Sequence, residues 1–270
     1  RLLMDLNLDR LAMRCFDKVM ESCNADLKTD NDVEVEPATP QMRKHAVLLR
    51  AICSLNEGEN AEVEVRKYVR LWLDEVNMPL DDGTSLEEHL LQWADGGADA
   101  AVALGLLQLM SADASAPRTF ARAVAAAKDD QSCFGSPCRL STRWNMLGAV
   151  LANRKRYTES LVAYGQALRL QPNYPRALVN CGIANASIGE RLTAVDMYST
   201  ALTIAPRWST DPMWAELQSI AGDQSENEDL LEAAKQKNLT KLQELLKQRC
   251  GAAGLGSAES GSEAEPLAVL

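Results

Sequence analysis

With 270 residues and 46% hydrophobic content the chain can bury one or two globular cores or one extended repeat array. Aromatics at 5%, beside abundant alanine and leucine, favour helix over sheet, and a net charge of −10 excludes the clustered basic surface that nucleic acids require. Seven scattered cysteines, an odd number, fit a reducing, cytoplasmic setting, and no apolar run reaches the roughly 18–20 residues that span a bilayer.

The chain enters an amphipathic pattern at once, without an initiator methionine, as expected of a fragment. LNLDRLAMRCFDKVMES is the pattern of one helix, the second of a partial repeat at 1–23. LKTDNDVEVEPATPQ, acidic and proline-bearing, predicts an expanded loop at 24–40. KHAVLLRAICSLNEGENAEVEVRKYVRLWLDE predicts a helical hairpin, a repeat at 41–76, followed by a linker at 77–97 with a short helix around Leu86 to Trp93. Leu104-Gly105 and then PRTFARAVAAA predict a further repeat at 98–130, trailed by an inserted polar loop at 131–140. Cys133 and Cys138 lie close together in that region. No second pair stands at zinc-ligand spacing and His45 and His89 lie apart, so free thiols and no metal site are expected.

Self-comparison then yields a period. Gly148 recurs as Gly182, Tyr164 as Tyr198, Ala167 as Ala201 and Pro172 as Pro206, each 34 residues on. That is the tetratricopeptide period, and Trp144, Leu147, Gly148, Leu151, Tyr164, Ala167 and Pro172 fill its characteristic slots, giving repeats at 141–174 and 175–208. Glycine and alanine are small where two helices must approach, and Pro172 stops the second helix. Gly105 precedes Gly148 by 43 residues, which assigns nine extra residues to the inserted loop. DPMWAELQSI and DLLEAAKQKNLTKLQELLKQR predict two amphipathic helices that cap the array at 211–248. The small, polar tail at 251–270 predicts disorder after an array that ends at 250. The expected fold is all-α: a tetratricopeptide-repeat superhelix (an α-solenoid) of antiparallel helical hairpins with C-terminal capping helices.

Asparagine is a mediocre mid-helix residue, so Asn145, Asn153, Asn180 and Asn185 need a reason. Registering Trp144 on the repeat pattern puts Asn145, Ala149 and Asn153 on the face that lines the concave groove of such an array. The next copy puts Arg176, Asn180 and Ser187 there, and the hairpin aligned on Ala51 adds Asn56. Asn185 falls in a packing slot and reads as structural. Two explanations remain open for the groove asparagines. They are solvated residues or helix-end caps, or their amides clamp the backbone of an extended peptide, with Arg176 pairing a terminal carboxylate.

At RWNMLGAVLAN and YGQALRLQPNYPRALVNCGIA the sequence resembles the receptor family for the type 1 peroxisomal targeting signal, the cytosolic proteins that recognise C-terminal Ser-Lys-Leu tripeptides. The resemblance extends more weakly through AVALGLLQLM, AVLLRAICSLNE and MWAELQSI, over residues 5 to 248. It implies a peptide-binding role in peroxisomal or glycosomal import, with Asn145, Asn153 and Asn180 holding the cargo backbone and carboxylate beside Arg176, and Asn56 contributing from the opposite arm. It also implies a cytoplasmic protein that cycles to the peroxisomal membrane, meeting docking proteins through an N-terminal region that this sequence lacks. Ser187 stands where the family usually has another asparagine, which shortens one clamp. The alternatives are a tetratricopeptide scaffold with a diverged groove and a co-chaperone-type adaptor, the latter needing several groove cations where only Arg176 is placed. No phosphate loop, nucleophile elbow or histidine beside a nucleophile is present, so neither an enzyme nor a cofactor is expected.

Overall fold

The structure, a computed structural model, describes residues 40–54, 60–78, 83–92, 97–129, 137–206, 209, 211–222 and 227–253. The partial repeat expected at 1–23, the expected loop up to residue 39, Asn56, the inserted loop at 131–136 with Cys133, and the tail from 254 onward lie outside them. Among the described residues there are twelve helices and no strand, the all-α tetratricopeptide-repeat fold that the 34-residue period predicts. None of these helices is long and apolar enough to cross a membrane. The chain divides into two compact units, with the boundary after Ala127.

The N-terminal unit holds α1 (Pro40–Ser54), α2 (Ala61–Glu75), α3 (Leu86–Gln92), α4 (Ala98–Met110) and nearly all of α5 (Ala116–Asp129). α1 packs on α2 through Val47, Leu48 and Ala51 on one side and Val65, Val69 and Trp72 on the other, all buried. The pair is tied by Arg43 Nη2 to Glu75 Oε1 at 2.9 Å, and Arg66 reaches from α2 to Glu87 of α3 at 2.7 Å. α4 is buried continuously from Ala100 to Gln108, as a helix that is apolar on every face must be.

The C-terminal unit holds α6 (Pro137–Asn153), α7 (Tyr157–Leu170), α8 (Pro175–Ser187), α9 (Arg191–Ile204), α10 (Asp211–Gly222), α11 (Glu228–Lys235) and α12 (Leu239–Ala253). Each helix packs on the next from α6 to α12, and α6 also touches α8 across the repeat. α6 begins at Pro137, inside the stretch expected as loop, because proline at the first helical position loses no hydrogen bond that the helix would otherwise make. The last capping element is two helices rather than one. The break falls at Lys237, in the left-handed region at φ 52°, and Asn238 Oδ1 accepts from the Lys241 backbone N–H at 3.0 Å to start α12. α12 continues to Ala253, beyond the expected end of the cap. Trp214, Leu217, Leu230, Leu242 and Leu246 make the buried core of this end.

The close approach of paired helices depends on glycine. A Cβ built on Gly148 would stand 2.5 Å from Tyr164 Cε1, and one on Gly182 would stand 2.7 Å from Tyr198 Cδ2 and 3.3 Å from the Ala194 carbonyl oxygen. Both rings are buried, so neither can swing out of the way without opening the hairpin. The turns that reverse the chain between paired helices share another device. Ala112, Lys155, Gly189 and Lys237 take left-handed φ values of 57°, 61°, 90° and 52°. At Lys155 the turn is closed by backbone bonds from Arg154 N–H to Leu151 O (3.0 Å), Lys155 N–H to Ala152 O (2.9 Å) and Arg156 N–H to Leu151 O (3.0 Å). The same three bonds recur one repeat later around Gly189, onto Asn185 and Ala186. Glycine takes this conformation at no steric cost, whereas a side chain there costs on the order of 1–2 kcal/mol.

Gly182→Ala is expected to lose about 1–3 kcal/mol through overpacking against Tyr198, after a gain of up to about 1 kcal/mol in helix propensity is counted against it. A urea-unfolding midpoint measured by circular dichroism checks this. Adding Tyr198→Leu should recover most of the loss, since the smaller side chain makes room for the methyl group.

Candidate functional site

The site lies wholly within the C-terminal unit, on the paired first helices α6 and α8 and the turn that follows α6. Asn145 is on the buried stretch of α6 and Asn180 on that of α8, separated in sequence by one repeat and one residue. That offset brings the two side chains face to face: Asn180 Nδ2 donates to Asn145 Oδ1 at 3.0 Å, and both residues are under 5% exposed. The bond spans neighbouring repeats, so it fixes the spacing of the groove as well as the rotamer of each amide.

Beside this pair is a concavity of about 250 Å³. Ala149, Ala152 and Asn153 enter it from α6, Asn180, Ile183 and Ser187 from α8. These alternate along each helix at the spacing of one face. Lys155 of the left-handed turn and Tyr157 and Tyr164 of α7 complete the lining. No carboxylate lines it, and Lys155 is the one lining residue with a full charge. Ala149, Ala152 and Ile183 make an apolar patch beside the Asn180 amide.

Of the residues anticipated from sequence, Ala149, Asn153, Asn180 and Ser187 therefore share one concavity. Asn145 lies behind it, as the partner that holds Asn180. Asn153, the last residue of α6, is exposed and already has a polar contact of its own. Ser187 Oγ donates back to the Ile183 carbonyl oxygen at 2.8 Å, so its hydroxyl proton is committed to its own helix. Arg176, in the first turn of α8, is half-buried, does not line the concavity and has an interaction of its own. Asn56 lies outside the described residues. Asn185 is buried and donates to the Cys181 carbonyl oxygen at 2.9 Å, in keeping with its packing slot.

Lys155, Tyr157 and Tyr164 are the lining residues that sequence reading missed. Tyr164 is visible in the sequence only as a residue of the repeat pattern, and the structure places it both against Gly148 and in the lining of the concavity. Lys155 could have been found from its spacing, since Gly189 stands 34 residues on in the equivalent turn. Burial raises the Tyr164 phenol well above its usual range, with a smaller contribution from neighbouring Cys181, so it is a neutral donor and acceptor at any working pH. Burial also pushes the Cys181 thiol up to about 11, against a smaller opposing effect from the Asn185 hydrogen bond. The lining is thus two amides, two phenols, a serine hydroxyl, an apolar patch and one ammonium. Such a set suits an extended peptide that presents a small apolar side chain and a nearby anion.

Helical hairpins at a 34-residue period, with small residues at each close approach, define the chain as one that carries tetratricopeptide repeats, and the TPR repeat family matches residues 148–189. That match contains the Gly148–Tyr164 approach, the Asn180 side of the amide pair and the residues that line the concavity. The chain is also similar to curated proteins that carry the name peroxisomal targeting signal receptor. The one from Eremothecium gossypii is 30% identical over 174 residues, 59% of this chain and 29% of its own length. The Candida glabrata protein is 41% identical over 76 residues, 27% of this chain and 13% of its own length, and the Candida albicans protein 48% over 46 residues, 17% and 8%. The matched segment spans less than a third of each relative.

A raised thiol pKa means that the folded state favours the neutral form, so alkylation of Cys181 should be slow at pH 8, where about one thiol in a thousand is ionised. Peptide mapping after iodoacetamide treatment should show its rate rising about tenfold per pH unit from 8 to 10, and unfolding in urea at pH 8 should remove the protection.

Proposed function

We propose that this chain is the cargo-binding part of a receptor for the C-terminal type 1 peroxisomal or glycosomal targeting signal, binding Ser-Lys-Leu-like tripeptides. The observation that carries the reading is the buried Asn180–Asn145 pair beside a concavity with amide donors, an apolar patch and no carboxylate. Asn180 gives one N–H to Asn145, which leaves its second N–H and its carbonyl oxygen for the peptide. Ala149, Ala152 and Ile183 accept the terminal apolar side chain, and Asn153 meets the backbone from the rim. Arg176 and Asn56 enter this reading from the resemblance alone, and Ser187 contributes room rather than a second amide.

The similarity to proteins named peroxisomal targeting signal receptor supports the same reading. Its role is binding without chemistry: cargo is captured in the cytoplasm and delivered to the peroxisomal membrane, where docking proteins are met.

Fluorescence anisotropy with a labelled peptide ending in Ser-Lys-Leu tests it. The free-acid peptide should bind at least about 10-fold tighter than the same peptide amidated at its C-terminus, a difference of about 1.4 kcal/mol. Equal binding of acid and amide would remove the proposed function.

A further inference from the structure

We propose that Lys155, from the turn between α6 and α7, is the cation that recognises the ligand's terminal carboxylate, in place of Arg176. This rests on the peptide-binding reading above and gives it a specificity-determining residue that neither the resemblance nor the repeat pattern supplies.

Amide donors already favour a carboxylate over an uncharged amide terminus, and a positive charge at the site adds to that preference and makes it salt-dependent. Lys155 lines the concavity and Arg176 does not. In the turn Arg154-Lys155-Arg156 the neighbours are spoken for. Arg156 donates to both carboxylate oxygens of Glu159, at 2.6 and 2.5 Å, and Arg154 has an interaction of its own. Lys155 is exposed and has no ion-pair partner among the described residues.

The backbone shows that no particular side chain is needed to close the turn. Lys155 occupies the left-handed position that closes the turn, and the equivalent position one repeat later is Gly189, closed by the same three hydrogen bonds. The turn therefore asks for no side chain, and glycine is the least costly occupant. Lysine occupies the same left-handed position in another turn, at Lys237, so the conformation alone assigns no role; what sets Lys155 apart is that it lines the concavity. Ser187 lines the same concavity with its hydroxyl turned back to Ile183, so its proton is already committed.

The test is a set of affinities for the free-acid and amidated peptides, measured with the whole 270-residue chain at low and physiological salt. Lys155→Met should cut the acid-over-amide preference by about 10-fold and flatten its salt dependence, with little change in affinity for the amidated peptide. Lys155→Arg should keep most of the preference. Lys237→Met, at the matching left-handed position of another turn, and Arg176→Met should both leave it intact. A wild-type preference that survives Lys155→Met, or is lost in Arg176→Met, would overturn the assignment and leave the peptide-binding reading standing. No preference in the wild-type chain would overturn both.

Discussion

The hydrogen bond from Asn180 to Asn145 is the constraint on which the site depends. An amide buried without a partner costs about 1–3 kcal/mol, so each asparagine is tolerable only because the other is there. The pair requires α6 and α8 to sit side by side, which in turn requires that each pack closely on its own second helix. Gly148 under Tyr164 and Gly182 under Tyr198 make that possible. The scaffold residues and the site residues are thus one mechanical unit: add a methyl group at either glycine and the amide pair moves.

The fold was largely legible in the sequence because the repeat encodes it redundantly. Glycine, aromatic, alanine and proline recur at one spacing, and four coincidences leave little freedom in where hairpins start and stop. Boundaries were legible less well where a single side chain decides them. Pro137 extends α6 into a stretch whose polarity reads as loop, and Asn238 splits a helix whose apolar period runs through the break. Periodicity averages over several residues, and a cap acts through one.

The site was half legible. Repeat register put Ala149, Asn153, Asn180 and Ser187 on one face, and the structure brings those four together around one concavity. Register says which way a side chain points, but not what it meets there. It could not separate Asn180, which reaches the concavity, from Asn145, which holds Asn180 in place. Nor could it find Lys155, whose position lies past the helix end, where helical geometry no longer applies. Arg176 shows the converse: a position shared with a family says nothing of whether the side chain reaches the same space here. The receptors that this chain resembles are matched over less than a third of their length, so the likeness alone does not assign roles to the side chains on this wall.

The most direct test of this account is a double-mutant cycle on Asn145→Ala and Asn180→Ala, read as affinity for a peptide ending in Ser-Lys-Leu. If Asn145 acts through Asn180, the double variant should bind no more weakly than Asn180→Ala alone, a loss of about 10- to 100-fold, and the two effects should be strongly non-additive. Independent losses that multiply in the double variant would mean that each amide meets the ligand for itself, and would contradict the central claim that the pair works as one element.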